Sequence, residues 1–329
     1  MIDWTSLIFP NVEIDLPVGS IVYINQDGSI EQMIEKGHNL KYNDEGSFTE
    51  NVNIRNTSRG LRIDGNPSKW LQGHNLFGRD SWLVVGLWVR DICRRLNNNI
   101  SILRAFERGD YRVTRIDITY NYTVPGVNAY LDALSQFASG SRGRPERSKG
   151  TTVYFHKSSR RSSVKFYNKE TEILVHPFNP HRIDQVREQL LKEYSKDLLR
   201  CEVCLRGKYL DETYGYKINW NEFNFYGAWK KRVDQITFPT SVELRGDSMD
   251  AIPGRHRIVY LAWRNGDDVK ELLPRTTFWR AKKFFLGYGL DITKPVPKVA
   301  QCCIIPLFRP VDAVFKEIPQ EAYQLKLVA

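Results

Sequence analysis

Residues 112–121 (RVTRIDITYN) admit few conformations. Ile116, Ile118 and Tyr120 recur at every second position, and Arg115, Asp117 and Thr119 fill the positions between. A period of two is that of a β-strand, with one face for a core and one that stays polar. Three later segments repeat the pattern. Residues 151–157 (TTVYFHK) put Val153 and Phe155 in, Tyr154 and His156 out. Residues 162–169 (SSVKFYNK) put Val164 and Phe166 in, Lys165, Tyr167 and Lys169 out. Residues 198–207 (LLRCEVCLRG) put Leu199, Val203 and Leu205 in, Arg200, Glu202 and Arg206 out. If these strands share one sheet, Asp117, Tyr167, Lys169 and Glu202 converge on one surface.

The rest of the chain divides by pattern. Residues 1–64 read as strands and turns, clearest at 20–25 and 60–64, and Asn66–Pro67 is a turn signal. Residues 68–78 lead into a helix, with apolar residues at 84, 85, 88, 89, 92 and 96 in helical spacing. Further helices are predicted at 126–138 and 184–198. From about residue 215 the pattern is mostly helical. Segments 257–265, 268–273 and 276–287 are separated by Gly266 and Pro274, with Thr276 able to cap the third. A short helix, a tight turn and a second helix carrying Arg280, Lys282 and Lys283 suit a helix-turn-helix. In an ordinary helical packing unit, Trp279, Phe284 and Phe285 would instead be core and the lysines a solvated face.

A formal net charge of +10 over 329 residues favours a polyanionic partner, nucleic acid first. The loop at 139–150 (SGSRGRPERSKG) brings Arg142 and Arg144 beside the polar face; it reads as a phosphate-contacting loop or as a solvated linker. No run approaches 18 apolar residues, so no membrane span is expected, and the opening MIDWTSLIFP lacks the pattern of a signal peptide. Five cysteines without framework spacing suggest a reducing compartment. Cys201 and Cys204 lie three apart on a strand and so point to opposite faces, which argues against a zinc site.

The polar face suits metal-assisted phosphoryl transfer. A tyrosine is a poor nucleophile at neutral pH, because its pKa is about 10, but serves against a phosphodiester that a divalent cation polarises. A phosphotyrosine keeps the energy of the broken bond, so the step can run backwards. Such a site needs carboxylates, often a histidine, a nearby cation and the tyrosine. Asp117 and Glu202 supply the carboxylates, and Lys169 the cation. His74, in QGHN, is the more plausible imidazole, and His156 competes with it. Asp117 with Arg115, and Glu202 with Arg200 or Arg206, could equally be structural ion pairs.

The chain resembles the rolling-circle replication initiators of filamentous bacteriophages, the gene II protein family. The segments that carry the likeness are GNPSKWLQGHNLFG (65–78), TRIDITYN (114–121), TTVYFHKSSRRSSVKFYNKETEI (151–173), LLRCEVCLRGKYL (198–210), GDSMD (246–250) and PRTTFWR (274–280). The Y-x-K-x-x-E element (Tyr167, Lys169, Glu172) is also similar to that of plasmid rolling-circle initiators. The paired His-hydrophobe-His motif common in tyrosine nickases is absent from the chain.

The resemblance implies an α+β fold. An antiparallel sheet with helices on one face would form a metal-dependent nicking and joining domain over 1–214, with a mostly helical DNA-binding region over 215–329. It implies nicking at a double-stranded phage origin through a 5′-phosphotyrosine on Tyr167, and rejoining of the displaced single strand. Lys169 would assist, and Asp117, Glu202 and His74 would hold Mg2+ or Mn2+. Arg142, Arg144, Arg160, Arg161, Arg275, Arg280, Lys282 and Lys283 would contact DNA. Host helicase, polymerase and single-strand-binding protein, a homodimer, and the cytoplasm of the host bacterium complete the expectation. A competing reading is a DNA-binding origin binder or repressor without catalysis.

Overall fold

The computed structural model describes residues 1–16, 19–35, 37–41, 50–136, 146–148, 152–236, 254–287, 291–294 and 313–328. The strands are β1 (Ile2–Phe9), β2 (Ser20–Ile24), β3 (Ile30–Glu35), β4 (His38–Leu40), β5 (Val52–Thr57), β6 (Gly60–Gly65), β7 (Arg112–Thr123), β8 (Glu146–Ser148), β9 (Thr152–Phe155), β10 (Ser162–Asn168) and β11 (Leu198–Arg206). The helices are α1 (Pro67–Gln72), α2 (Trp82–Arg95), α3 (Ile100–Glu107), α4 (Val127–Gln136), α5 (Lys169–Val175), α6 (Gln185–Ser195), α7 (Gly207–Tyr214), α8 (Phe225–Val233), α9 (Gly254–Arg264), α10 (Val269–Leu272), α11 (Arg275–Gly287) and α12 (Gln320–Gln324).

Nine strands form one antiparallel sheet in the order β4-β5-β6-β1-β7-β11-β10-β9-β8. The four alternating segments read from sequence are β7, β9, β10 and β11, and they are contiguous in it. The β2–β3 ribbon pairs separately. On one face Ile116, Ile118, Val164, Phe166, Val203 and Leu205 are sealed in the main core. Above them α2 lays down Val85, Trp88, Val89 and Ile92, the stripe that its spacing predicts. The α2 helix starts at an N-cap, Ser81, whose hydroxyl accepts from the Leu83 N–H. α4 contributes Tyr130, Leu131 and Leu134 to the same core, and α8 contributes Trp229 and Val233.

The expectation of helices on one face alone is corrected. A second, smaller core covers part of the polar face, built from Leu76, Phe77, Ile173 of α5, Leu191 and Tyr194 of α6, and Ala322 of α12. Asn121 of β7 donates to Leu76 O and to the Tyr194 hydroxyl, which joins this layer to the sheet. The physical reason lies in the sheet itself. The polar residues of β7 and β11 carry hydrogen bonds that bulk water would otherwise compete for.

Packing into the main core continues past residue 214 through Phe225, Ala228, Trp229, Val233 and Ile236. Helices α9 to α11 have their own core of Tyr260, Trp263, Val269, Phe278 and Phe285. Thr276 does not cap α11: the helix begins at Arg275, and Pro274 O already accepts from the Phe278 N–H. Trp279 is not core but 54 % exposed, with the Lys282 ammonium 5.0 Å from its ring centroid.

Gly65 sits on the core side of β6, facing Trp88 of α2. A Cβ there would lie 2.9 Å from the buried Trp88 ring and 3.3 Å from Val52. Gly65→Ala should therefore lower stability by about 1–3 kcal/mol through overpacking. Urea unfolding measures it, and the same change in a Trp88→Phe background should cost less.

Candidate active site

The register of three strands builds the polar layer. Tyr167 of β10 is the Cα partner of Arg200 on β11, which is the partner of Asn121 on β7. One step along, Lys165 faces Glu202, which faces Thr119. Asp117 lies across from Cys204 on one side and Trp4 of β1 on the other. Tyr167, Lys165, Glu202, Arg200 and Asp117 thus share one side of the sheet, as their alternation requires.

Tyr167 is 7 % exposed and stands in the wall of a cleft of about 560 Å³. Asp3, Trp4, Lys69, Asn75, Tyr154, Lys165 and Glu172 complete much of that wall. The Tyr167 hydroxyl is 3.5 Å from Glu202 Oε2, the long edge of a hydrogen bond. Lys165 Nζ lies 2.8 Å from Glu202 Oε1 and 4.9 Å from the Tyr167 ring centroid.

Lys169 is near the tyrosine for a different reason than its alternation suggested. The strand ends at Asn168, whose side chain accepts from the Thr171 N–H and caps α5. Lys169 is therefore the first helical residue. Its ammonium is buried 5.9 Å from the Tyr167 ring centroid and donates to Asn75 Oδ1 at 2.9 Å and Glu172 Oε2 at 2.8 Å. Glu172 is thus the salt-bridge partner of Lys169 one helical turn on.

Burial governs the titration of these groups. It pushes the Tyr167 phenol well above its usual range, and Glu172 pushes the same way, against Arg200 and Lys165. The phenol is protonated at neutral pH. Burial also raises Glu202 to about 7; Lys165 opposes the shift, and the carboxylates of Asp117 and Asp3 add to it. Burial lowers Lys169 to about 8, partly offset by Glu172. In Asp3 burial favours the acid, but Arg200 and Lys169 outweigh it and hold the carboxyl below its usual range.

The three residues expected to hold a cation are placed as follows. Asp117 forms a two-pronged pair with Arg115, at 2.9 Å and 2.5 Å. Glu202 is paired with Lys165, not with Arg200 or Arg206. His74 is fully buried, with Nε2 2.9 Å from Leu327 O and Nδ1 accepting from the Leu76 N–H. Both of its ring nitrogens are thus committed away from the carboxylates. Among the described residues no three His, Cys, Asp or Glu side chains are grouped to hold a metal. The oxygen donors suit Mg2+ or Mn2+ in type, but a cation would have to displace Arg115 and Lys165 from them. His156 does not extend β9: the strand ends at Phe155, and His156 occupies a left-handed turn with φ of 56°.

Of the basic residues expected to meet DNA, Arg142 and Arg144 lie outside the described residues. Arg160, Arg161, Arg275, Arg280 and Lys283 are exposed, and Arg161 pairs with Glu212 at 2.7 Å. Lys282 is buried, with its ammonium over the Trp279 ring.

Two members of the site escaped the sequence. Asp3 faces the cleft because the β1–β7 register shifts between Ile2 and Trp4, so simple alternation fails there. It accepts from Asn66 Nδ2 at 2.7 Å and Asn75 Nδ2 at 2.9 Å. Arg200 was visible only as one more polar residue of β11, yet it is 0 % exposed. Its Nε donates to Asn121 Oδ1 at 2.9 Å and its Nη2 to Leu76 O at 2.6 Å.

The family model for the N-terminal part of the phage replication-associated protein, the gene II product, matches residues 1–229. The chain is 30% identical over 337 residues to the replication-associated protein of Enterobacteria phage I2-2, across 98% of this chain and 96% of that protein. It is 21% identical to the protein of the same name from Enterobacteria phage fd, across 78% of this chain and 75% of that one. The corresponding protein of Salmonella phage IKe is also 21% identical, across 80% and 75%. Among solved structures, a rolling circle replication initiator protein from Geobacillus stearothermophilus aligns with a TM-score of 0.34 and 12% identity, over 90% of this chain and 98% of that one.

Burial lowers His74 to about 3, with its bond to Leu327 O opposing the shift and the charges of Lys169 and Arg200 adding to it. Below its ordinary pKa of about 6.5 the unfolded chain takes up a proton that the folded chain refuses. Stability from this residue is therefore present above that pH and falls with acidification, by about 1.4 kcal/mol per pH unit. Between pH 6.5 and pH 5 the wild type should lose about 2 kcal/mol more than His74→Gln, read from urea midpoints.

Proposed function

This chain belongs to the family of the filamentous-phage replication-associated protein encoded by gene II and is a replication initiator; on that premise we propose that it starts a round by nicking one strand of the double-stranded phage origin with Tyr167. The observation that carries the reading is the Tyr167 hydroxyl, within 3.5 Å of Glu202, in the wall of a cleft that Lys165, Asp3 and Glu172 also line. Phosphorus gains a bond to the phenolic oxygen and loses its bond to the 3′ oxygen. The phenol proton passes to the Glu202 carboxylate, and the departing 3′ oxygen takes up a proton from water to become a hydroxyl. That hydroxyl primes synthesis by a host polymerase. Attack of a later 3′ hydroxyl on the phosphotyrosine reverses the step and rejoins the displaced strand into a circle.

A divalent cation, Mg2+ or Mn2+, is part of the proposal; when bound it would polarise the phosphate. Asp117 and the Oε1 of Glu202 would hold it, after release from Arg115 and Lys165, which leaves Glu202 Oε2 beside the phenol as the base. The lysines and Arg115 place positive charge where the phosphodiester must come, and the exposed Arg275, Arg280 and Lys283 of α11 supply a second basic surface. Within the expected division at residue 214, helices α9 to α11 are the part proposed to read the origin, and their helix-turn-helix character belongs to the same proposal. Host helicase and single-strand-binding protein, a homodimer, and action in the host cytoplasm follow from the same role. Among the described residues no helix is long and apolar enough to cross a membrane. A chain that only bound its origin would have no use for a phenol and a carboxylate buried together.

Tyr167→Phe should abolish the covalent protein–DNA adduct, a loss of about 10⁴-fold or more, while origin affinity stays intact. Denaturing gels of labelled supercoiled origin DNA with Mg2+ read the adduct, and peptide mapping reads the residue. Adduct on another tyrosine would remove Tyr167 from the mechanism; free 5′ phosphate without adduct would indicate hydrolysis instead. Asp117→Ala and Glu202→Ala should lose nicking and keep binding, with a displaced Mg2+ titration. A chain with Arg275, Arg280 and Lys283 all changed to Ala should lose origin affinity sharply in a gel-shift assay.

A further inference from the structure

Arg200 is a complete guanidinium inside the protein. Two of its nitrogens are pinned, Nε to Asn121 and Nη2 to the Leu76 carbonyl, and so the plane of the group is fixed. The third, Nη1, is buried without a hydrogen-bond partner. Arg200 faces Tyr167 directly across the β10–β11 ladder, on the same side of the sheet. Burial works against its charge, while the tyrosine oxygen, Asp3 and Glu172 sustain it.

Resting on the assignment of Tyr167 as nucleophile, we propose that Arg200 is its positioning residue, a fixed cation whose free Nη1–H meets the negative charge that develops on the phenolic oxygen during attack. A buried donor left unpaired is costly. The neutral phenol beside it is a weak acceptor that leaves most of that cost in place; as the oxygen becomes anionic the contact strengthens and the cost is relieved. Stabilisation that grows only along the reaction lowers the barrier rather than strengthening substrate binding. The neighbouring cations suit this task less well, since Lys165 is committed to Glu202, and Lys169 to Asn75 and Glu172. Arg200 itself does not line the cleft, so it acts on the tyrosine and not on DNA. In nicking, the proton leaves the phenol for Glu202 as the P–O bond forms and the bond to the 3′ oxygen breaks. In rejoining, the same phenolate departs, so one cation serves both directions.

The test uses the full chain with supercoiled origin DNA and Mg2+, and follows single-turnover adduct formation, origin affinity and the thermal midpoint. Arg200→Gln keeps an amide for the Asn121 and Leu76 contacts but lacks the charge. It should slow adduct formation about 10²–10³-fold, with origin affinity within about twofold of wild type. Rejoining should slow by the same factor, and methylguanidinium added to Arg200→Ala should restore part of the rate. An Arg200→Gln chain that forms the Tyr167 adduct at the wild-type rate overturns the proposal. So does a loss of rate that only tracks loss of folded protein and that neither methylguanidinium nor Arg200→Lys relieves. If the wild-type adduct maps to a residue other than Tyr167, the earlier assignment fails first, and the mapping shows it independently of any Arg200 variant.

Discussion

Removing a guanidinium from water is expensive, and the Arg200 charge has to be met by groups brought from far apart in the chain. Asn121 comes from the strand before it in the sheet, Leu76 O from the segment after α1, and Tyr167 from the strand after it. The carboxylates of Asp3 and Glu172 come from β1 and α5. No two neighbours in sequence can satisfy it. The residue therefore ties the registration of three strands to the placement of the layer that covers them. That layer is itself small: a core of Leu76, Phe77, Ile173, Leu191 and Tyr194 closes over one end of the polar face.

The two sides of the sheet are stabilised by different physics. Beneath, Ile118, Phe166, Val203 and the tryptophans of α2 and α8 exclude water by apolar area alone. Above, charges of both signs are packed at close quarters, with Asp117 2 % and Glu202 4 % exposed. There each group changes its neighbour's proton affinity. Glu202 is lifted toward neutrality, where a carboxylate can take a proton and return it. The phenol is held protonated until something nearby accepts its proton. An exposed surface with the same residues would leave each near its ordinary pKa and supply no such differential.

Much of this was legible because alternation is a local property. The faces of β7, β10 and β11 follow from their side chains in order, and so does the convergence of Asp117, Tyr167 and Glu202. What was not legible is whatever depends on departures from regularity or on distant chain. Asp3 faces the cleft through an irregularity in β1 that no periodic reading contains. His74 has a motif-like setting, but its ring is fixed by Leu327, 253 residues away, which local sequence cannot announce. The burial of Arg200 depends on a covering layer assembled from α5, α6 and α12. A plain packing unit would have made Trp279 core, yet it is exposed, since the small core of α9 to α11 takes Phe278 and Phe285 from the same helix.

The Y-x-K-x-x-E spacing has a physical meaning that strand alternation obscures. Tyr167 ends the polar face of β10, and Asn168 stops the strand by capping α5. Lys169 then begins the helix, and Glu172 returns three residues later to the same helical face. A lysine two residues on in a continuing strand would lie about 7 Å further along the sheet, at twice the rise per residue. The change to helix at Asn168 instead turns the chain so that both Lys169 and Glu172 look back at the phenol. Glu172 then offsets part of the burial that lowers the ammonium to about 8. Three residues thus do what separated strands elsewhere in the sheet must do through register, and the interval between them is fixed by the junction, not by the chemistry.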